Sequence, residues 1–71
     1  MTETYDKRHG GPWDRGSADS YYRRARNPHY YEKDTYSSQE ITEENMSDAE
    51  IEAYNAGFDY NEEFGDFKDY G

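Results

Sequence analysis

Leucine, valine and cysteine are all absent from this chain, and Ile41, Ile51, Phe58, Phe64 and Phe67 are its only isoleucines and phenylalanines. That shortage limits what the chain can fold into more than anything else in the sequence. A chain of 71 residues has room for one small domain, and at that size only about 60% of the unfolded surface becomes buried. Without thiols, neither a disulfide nor a thiolate zinc site can staple it. Five Leu, Ile, Val and Phe residues in 71 fall far below the roughly 20% under which a highly charged chain is expected to be disordered. One component runs the other way. Aromatic residues make up 18% of the chain, nine of them tyrosine, whereas disordered chains are poor in rings. A tyrosine can bury its ring while its hydroxyl stays wet or finds an acceptor. The expectation is a thin core built from tyrosines, partly disordered alone and firmer on a partner.

Charge divides the chain in two. Residues 1–36 hold seven Lys and Arg against six Asp and Glu, a balance of +1. Residues 37–71 hold Lys68 alone against eleven acids, a balance of -10, and the two halves return the net charge of -9. No run approaches the roughly 20 apolar residues of a membrane span, and MTETYDKRHGG has no apolar segment of signal-peptide type. A cytoplasmic protein with no membrane association is expected.

Residues 1–11 are polar and end in Gly10-Gly11, which reads as a flexible arm. Pro12 suits a first helical turn, and Trp13 is a single large anchor. A first helix is expected at about 17–26. Gly16-Ser17 would offer its N-cap and Asp19 would sit in its first turn. Ala18, Tyr21, Tyr22 and Ala25 would form its apolar face, and Asn27-Pro28 would end it. Residues 27–46 read as a polar connector, ordered by Tyr30, Tyr31 and Tyr36 or mobile, with Ile41 as a lone contact to the core. A second helix is expected at about 47–58, with continuation to 64 left open. Ser47-Asp48-Ala49-Glu50 spells a capping box, with Met46 and Ile51 at the two staple positions. Ile51, Tyr54 and Phe58 repeat on one face. Gly57 marks either close packing on another helix or an early end, and Gly65 is a natural stop. Residues 66–71 form an acidic aromatic tail. The fold class that follows is all-α: a small two-helix hairpin spanning 12–65.

Catalytic signatures are missing. There is no cysteine nucleophile, no G-x-S-x-G, no glycine-rich phosphate loop, no H-E-x-x-H and no calcium-loop pattern. His9 and His29 lack a recognised metal-ligand spacing. No enzyme activity, cofactor, metal or small-molecule substrate is expected. Two binding surfaces remain. Arg23, Arg24 and Arg26, interleaved with tyrosines and followed by Tyr30 and Tyr31, have the composition of a single-stranded nucleic-acid platform. The plainer reading makes those tyrosines the core and pairs the arginines with the acidic second helix. The acidic half offers Tyr54, Phe58, Glu62, Glu63, Phe64, Asp66 and Phe67 as a contact face. Its carboxylates would stand in for phosphates and its rings for bases, against a basic groove on a protein. A merely solubilising acidic face is the plainer reading here.

Two segments resemble the ribosome modulation factor family. Arg15-Gly16, Ala18, Arg23-Arg24 and Asn27-Pro28-His29-Tyr30 resemble its first-helix and Pro-Tyr loop pattern. Ala53-Tyr54-Asn55-Ala56-Gly57-Phe58 is similar to its aromatic-x-x-Gly-aromatic segment. The chain as a whole also resembles short proteins carried by tailed bacteriophages. The first resemblance implies a two-helix scaffold and association with the ribosome, through RNA contacts at Arg15–Tyr31. That family is strongly basic, however, and this chain is acidic, which points the scaffold toward a basic protein surface instead. The leading expectation is therefore a phage-type inhibitor or modulator of a host nucleic-acid-binding protein. It would work by nucleic-acid mimicry in the cytoplasm of a bacterial host cell. The alternative is a ribosome-associated module that binds RNA.

Overall fold

The structure, a computed structural model, describes residues 7–32 and 39–69. Helix α1 spans Pro12–Tyr21, strand β1 spans His29–Tyr31, strand β2 spans Glu40–Thr42 and helix α2 spans Asp48–Phe64. A 3-10 turn at Glu43–Asn45 leads from β2 into α2.

The first helix starts and stops earlier than its sequence suggests. Gly11 is the N-cap and Pro12 takes the first turn, where a missing N–H costs nothing. Asp14 completes the start by accepting from the Gly10 N–H at 2.9 Å. Ser17 lies inside the helix, its hydroxyl donating to the Asp14 carbonyl oxygen at 2.9 Å. The helix ends because Arg23 adopts φ 61°, a left-handed conformation that breaks the helical hydrogen-bond ladder. Tyr21, Tyr22 and Ala25, expected on a core face, are exposed. The buried stripe is instead Arg15, Gly16, Asp19 and Ser20.

Helix α2 begins where the capping box predicts. The Glu50 N–H donates to the Ser47 hydroxyl at 3.2 Å, and the Ser47 N–H donates to the Glu50 carboxylate at 2.8 Å. Met46, Tyr54 and Phe58 form the buried apolar cluster, with Tyr30, Ile41 and Ile51 packed against it.

The expected all-α hairpin is corrected by the connector, where β1 and β2 pair as a two-stranded antiparallel sheet. The register sets His29 opposite Thr42, Tyr30 opposite Ile41 and Tyr31 opposite Glu40. Aromatic and β-branched residues fit a half-buried pleated surface, and alternation turns His29 and Tyr31 inward while Tyr30 is only half-buried. Tyr30 and Ile41 meet the apolar cluster.

The N-terminal residues 7–11, expected within a flexible arm, pack along β1. The Tyr31 N–H donates to the Gly10 carbonyl oxygen at 2.7 Å, and the Arg8 guanidinium donates to the Tyr31 carbonyl oxygen at 2.8 Å. The rest of that arm, residues 1–6, lies outside the described residues, as does Tyr36. At the other end residues 66–69 of the tail fold back on α1, with the Lys68 N–H donating to the Tyr21 carbonyl oxygen at 2.6 Å, and residues 70 and 71 lie outside the described residues.

The two helices meet at glycines. A Cβ built on Gly16 would overlap the Tyr54 carbonyl oxygen, and one built on Gly57 would overlap the Trp13 carbonyl oxygen. Each helix therefore lies backbone to backbone on the other, closer than any side chain permits. Of the two roles the sequence leaves open for Gly57, close packing is the one realised.

Candidate functional site: an inner polar cluster and an outer acidic aromatic face

Close approach of the helices buries polar groups that need partners. Tyr54 is 0% exposed and Asp19 3%, and the Tyr54 hydroxyl donates to the Asp19 carboxylate. The same hydroxyl accepts from the Asn27 N–H at 3.0 Å. One phenol thus ties α1, α2 and the turn into β1 together. Burial, and then the Asp19 hydrogen bond, push the Tyr54 hydroxyl far above its ordinary pKa of 10.0. His29, 7% exposed, stands beside them. Its Nδ1 lies 2.8 Å from the Asn27 carbonyl oxygen, so that nitrogen carries the proton, and it lies 3.7 Å from the Asp19 carboxylate. Ser20, fully buried, donates to Glu62 at 2.7 Å and accepts from Asn61 at 3.0 Å. Tyr54, Asp19, His29 and Ser20 thus each have a polar partner, and among the described residues no group of three His, Cys, Asp or Glu side chains is placed to hold a metal ion.

This interior splits the contact face expected from the sequence. Tyr54 and Phe58, at 0% and 8% exposure, belong to the core and cannot touch a partner. Glu62 is held by Ser20 and shares a cleft with Arg23, Arg24, Phe58 and Phe67. Glu63, Phe64 and Asp66 are exposed. Glu63 and Phe64 lie on the other flank of α2 from Glu62, because one step along a helix turns about 100°. The seven residues are not one surface.

The cations of the RNA alternative are engaged by the chain's own groups. Arg26 donates to Asp59 at 2.7 Å and to Asn55 at 3.0 Å, and lies over the Phe58 ring at 4.3 Å. Arg24 lies 3.5 Å from Asp19 and over Tyr22 at 4.9 Å. Arg23 donates to the Lys68 carbonyl oxygen at 3.3 Å and lies over Phe67 at 5.4 Å. Tyr31 is buried and Tyr30 half-buried. Burial and the Glu50 carboxylate push the Tyr30 hydroxyl above its usual pKa. Arginine pairing with the acidic second helix, the plainer reading of the sequence, is realised at Arg26.

A different surface emerges on the outer flank of α2. Tyr60 and Phe64 are 53% and 69% exposed, with ring centroids 5.2 Å apart. Trp13 from α1 extends the row, 5.6 Å from Tyr60. The Tyr60–Phe64 half is visible in the sequence as an i, i+4 pair. Trp13 is not, because it reaches Tyr60 only through the glycine crossing. Glu63 stands three residues from Tyr60 on the same flank, and exposed Glu52 continues the acidic stripe along the helix toward its start, while Asp59 between them is paired with Arg26. Comparison with family models, with curated proteins and with solved structures found no match.

Proposed function

We propose that the chain is a non-catalytic binding protein whose outer α2 surface docks on the basic, nucleic-acid-binding surface of another protein. The observation that carries this reading is the exposed row of Trp13, Tyr60 and Phe64 beside the carboxylates of α2. Exposed rings in a chain so short of apolar residues are a loss to the core, and a contiguous apolar patch with a charged rim is typical of an interaction site. The ten net negative charges of residues 37–71 steer a basic partner and repel nucleic acid. Inhibition or modulation of a host protein by a phage-type acidic mimic is the biological role consistent with that chemistry. The ribosome-associated, RNA-binding reading gains nothing from the packing, since its arginines and Tyr31 are occupied internally.

The test is capture of partners from nuclease-treated bacterial lysate by the tagged chain, repeated with Glu52→Gln, Glu63→Gln and Asp66→Asn combined. Retention of a basic protein by the parent and its loss from the triple variant supports the proposal. Equal retention by both, or capture of RNA that disappears on nuclease treatment, overturns it.

A further inference from the structure

The outer surface has a second property, visible in how the chain treats its own cations. Arg15, Arg23, Arg24 and Arg26 each lie over an aromatic ring, at 5.8, 5.4, 4.9 and 4.3 Å from the centroids of Tyr31, Phe67, Tyr22 and Phe58. Lys7 adds a fifth pair, its ammonium 4.8 Å from the Trp13 centroid. Significant cation–π contacts occur roughly once in 70–80 residues of ordinary structures. Five such contacts among the described residues make the pairing a recurrent packing device here. The rings of Tyr60 and Phe64 continue the Trp13 row but are largely exposed. At one end, then, the row already holds a cation from its own chain, and the rest of its ring surface faces solvent beside Glu63.

We infer that this row is a docking site for an arginine-rich segment of the partner protein, a reading that rests on the proposed function above and names the chemistry it recognises. Guanidinium groups would sit over Tyr60 and Phe64, as the chain's own arginines sit over Tyr22 and Phe58 at 4.9 and 4.3 Å. Their N–H groups would reach the carboxylates of Glu63 and the neighbouring stripe. Arginine suits both halves of the site, because its planar fork stacks on rings and pairs with a carboxylate through two hydrogen bonds, whereas an ammonium is a compact, strongly hydrated charge. A second copy of the chain is a poor occupant, since its acidic stripe would face another acidic stripe.

Trp13 is the chain's single tryptophan and borders the row, so its fluorescence reports occupancy directly. Titration of the full chain with a nona-arginine peptide at physiological ionic strength is expected to give a saturable change, with nona-lysine binding more weakly. Tyr60→Ala combined with Phe64→Ala keeps every charge and is expected to weaken nona-arginine by about tenfold, as loss of two exposed-to-partly-desolvated cation–π contacts requires. Tyr60→Leu with Phe64→Leu, which keeps apolar area without the ring faces, is expected to weaken it similarly while preserving the helical circular dichroism signal. Should the Glu52, Glu63 and Asp66 variant lose affinity while both ring variants bind normally, the acidic surface stands and the ring site is overturned. Should none of the variants change the titration, both readings fail. Sedimentation showing a parent dimer that the ring variants dissociate would make the row a contact between copies and overturn the inference as well.

Discussion

The two sides of helix α2 invert the usual distribution of residue types. Its inner side meets Arg15, Gly16, Asp19 and Ser20 of α1, a stripe without one large apolar side chain. Its outer side carries Tyr60 and Phe64, which soluble proteins bury by preference. The difference is instructive because the chain has so few apolar residues to allocate. Inside, glycines bring the backbones together and hydrogen bonds to Tyr54 and Ser20 replace hydrophobic contact. Outside, rings that could have enlarged the core are left exposed among carboxylates. Stability rests on close approach and hydrogen bonding, and the proposed binding chemistry draws on the rings and carboxylates left outside.

The comparison breaks most sharply at the crossing. Gly16→Ala places a methyl group on the Tyr54 carbonyl oxygen, and Gly57→Ala places one on the Trp13 carbonyl oxygen. Both obstacles are backbone, so neither can swing aside. The gain in helix propensity from alanine, about 1 kcal/mol, is outweighed by overpacking that costs roughly 1–3 kcal/mol or more. In a domain whose total stability is on the order of 0.05–0.15 kcal/mol per residue, either substitution is expected to lower the melting temperature, by roughly 4–8 °C for each kcal/mol lost. Circular dichroism melts measure this, and a melting temperature equal to or above the parent's would show that the helices do not meet as described.

Next in size is Tyr54→Phe, which keeps the ring and deletes the hydroxyl shared by Asp19 and Asn27. Leaving a buried carboxylate and a backbone N–H without that partner is expected to cost about 1–3 kcal/mol. The same residue sets an alkaline limit. Its folded-state pKa is raised above the 10.0 of an exposed phenol, so above that pH the folded state holds a proton that the unfolded state has lost. Stability from this group is complete below pH 10 and declines as pH rises beyond it, by at most about 1.4 kcal/mol per pH unit. Urea unfolding of parent and Tyr54→Phe at a series of alkaline pH values isolates the contribution. Parallel curves for the two proteins would remove Tyr54 from the account.

How much of this could be read from the sequence follows the range of each interaction. Ser47 and Glu50 announce α2 because a capping box is local chemistry, complete within four residues. Ser47→Ala is accordingly expected to cost about 1 kcal/mol, detectable as a lowered urea midpoint with an unchanged slope. Ser17, by contrast, imitates a cap. Its true role inside α1 depends on Gly11, Pro12 and Asp14 having started the helix earlier, so the first helix was displaced by five residues at each end. The sheet leaves no legible signal because HYY and EIT are three residues long, too short for alternation to stand out. The face of Tyr54 and Phe58 was legible as an apolar stripe, but not that it points inward while Tyr60 and Phe64 point outward. That choice is made by Gly16 and Gly57, forty-one positions apart in the chain, and nothing local encodes their contact.

The smallest effect on stability is expected where the proposed function places the largest effect on binding. Phe64, 69% exposed, contributes its contact with Tyr60 and little else to the fold. Phe64→Ser should therefore change the free energy of unfolding by no more than about 0.5 kcal/mol, the usual range for a surface position. A stabilising result would be informative too, since it would mean that the exposed ring is tolerated at a cost. Loss of more than about 1 kcal/mol in the urea titration would instead place Phe64 among the groups that hold α1 and α2 together, and the separation between an inner side that folds and an outer side that binds would dissolve. Near-neutrality would leave an aromatic residue at that position available for the proposed contact with a partner rather than for the core.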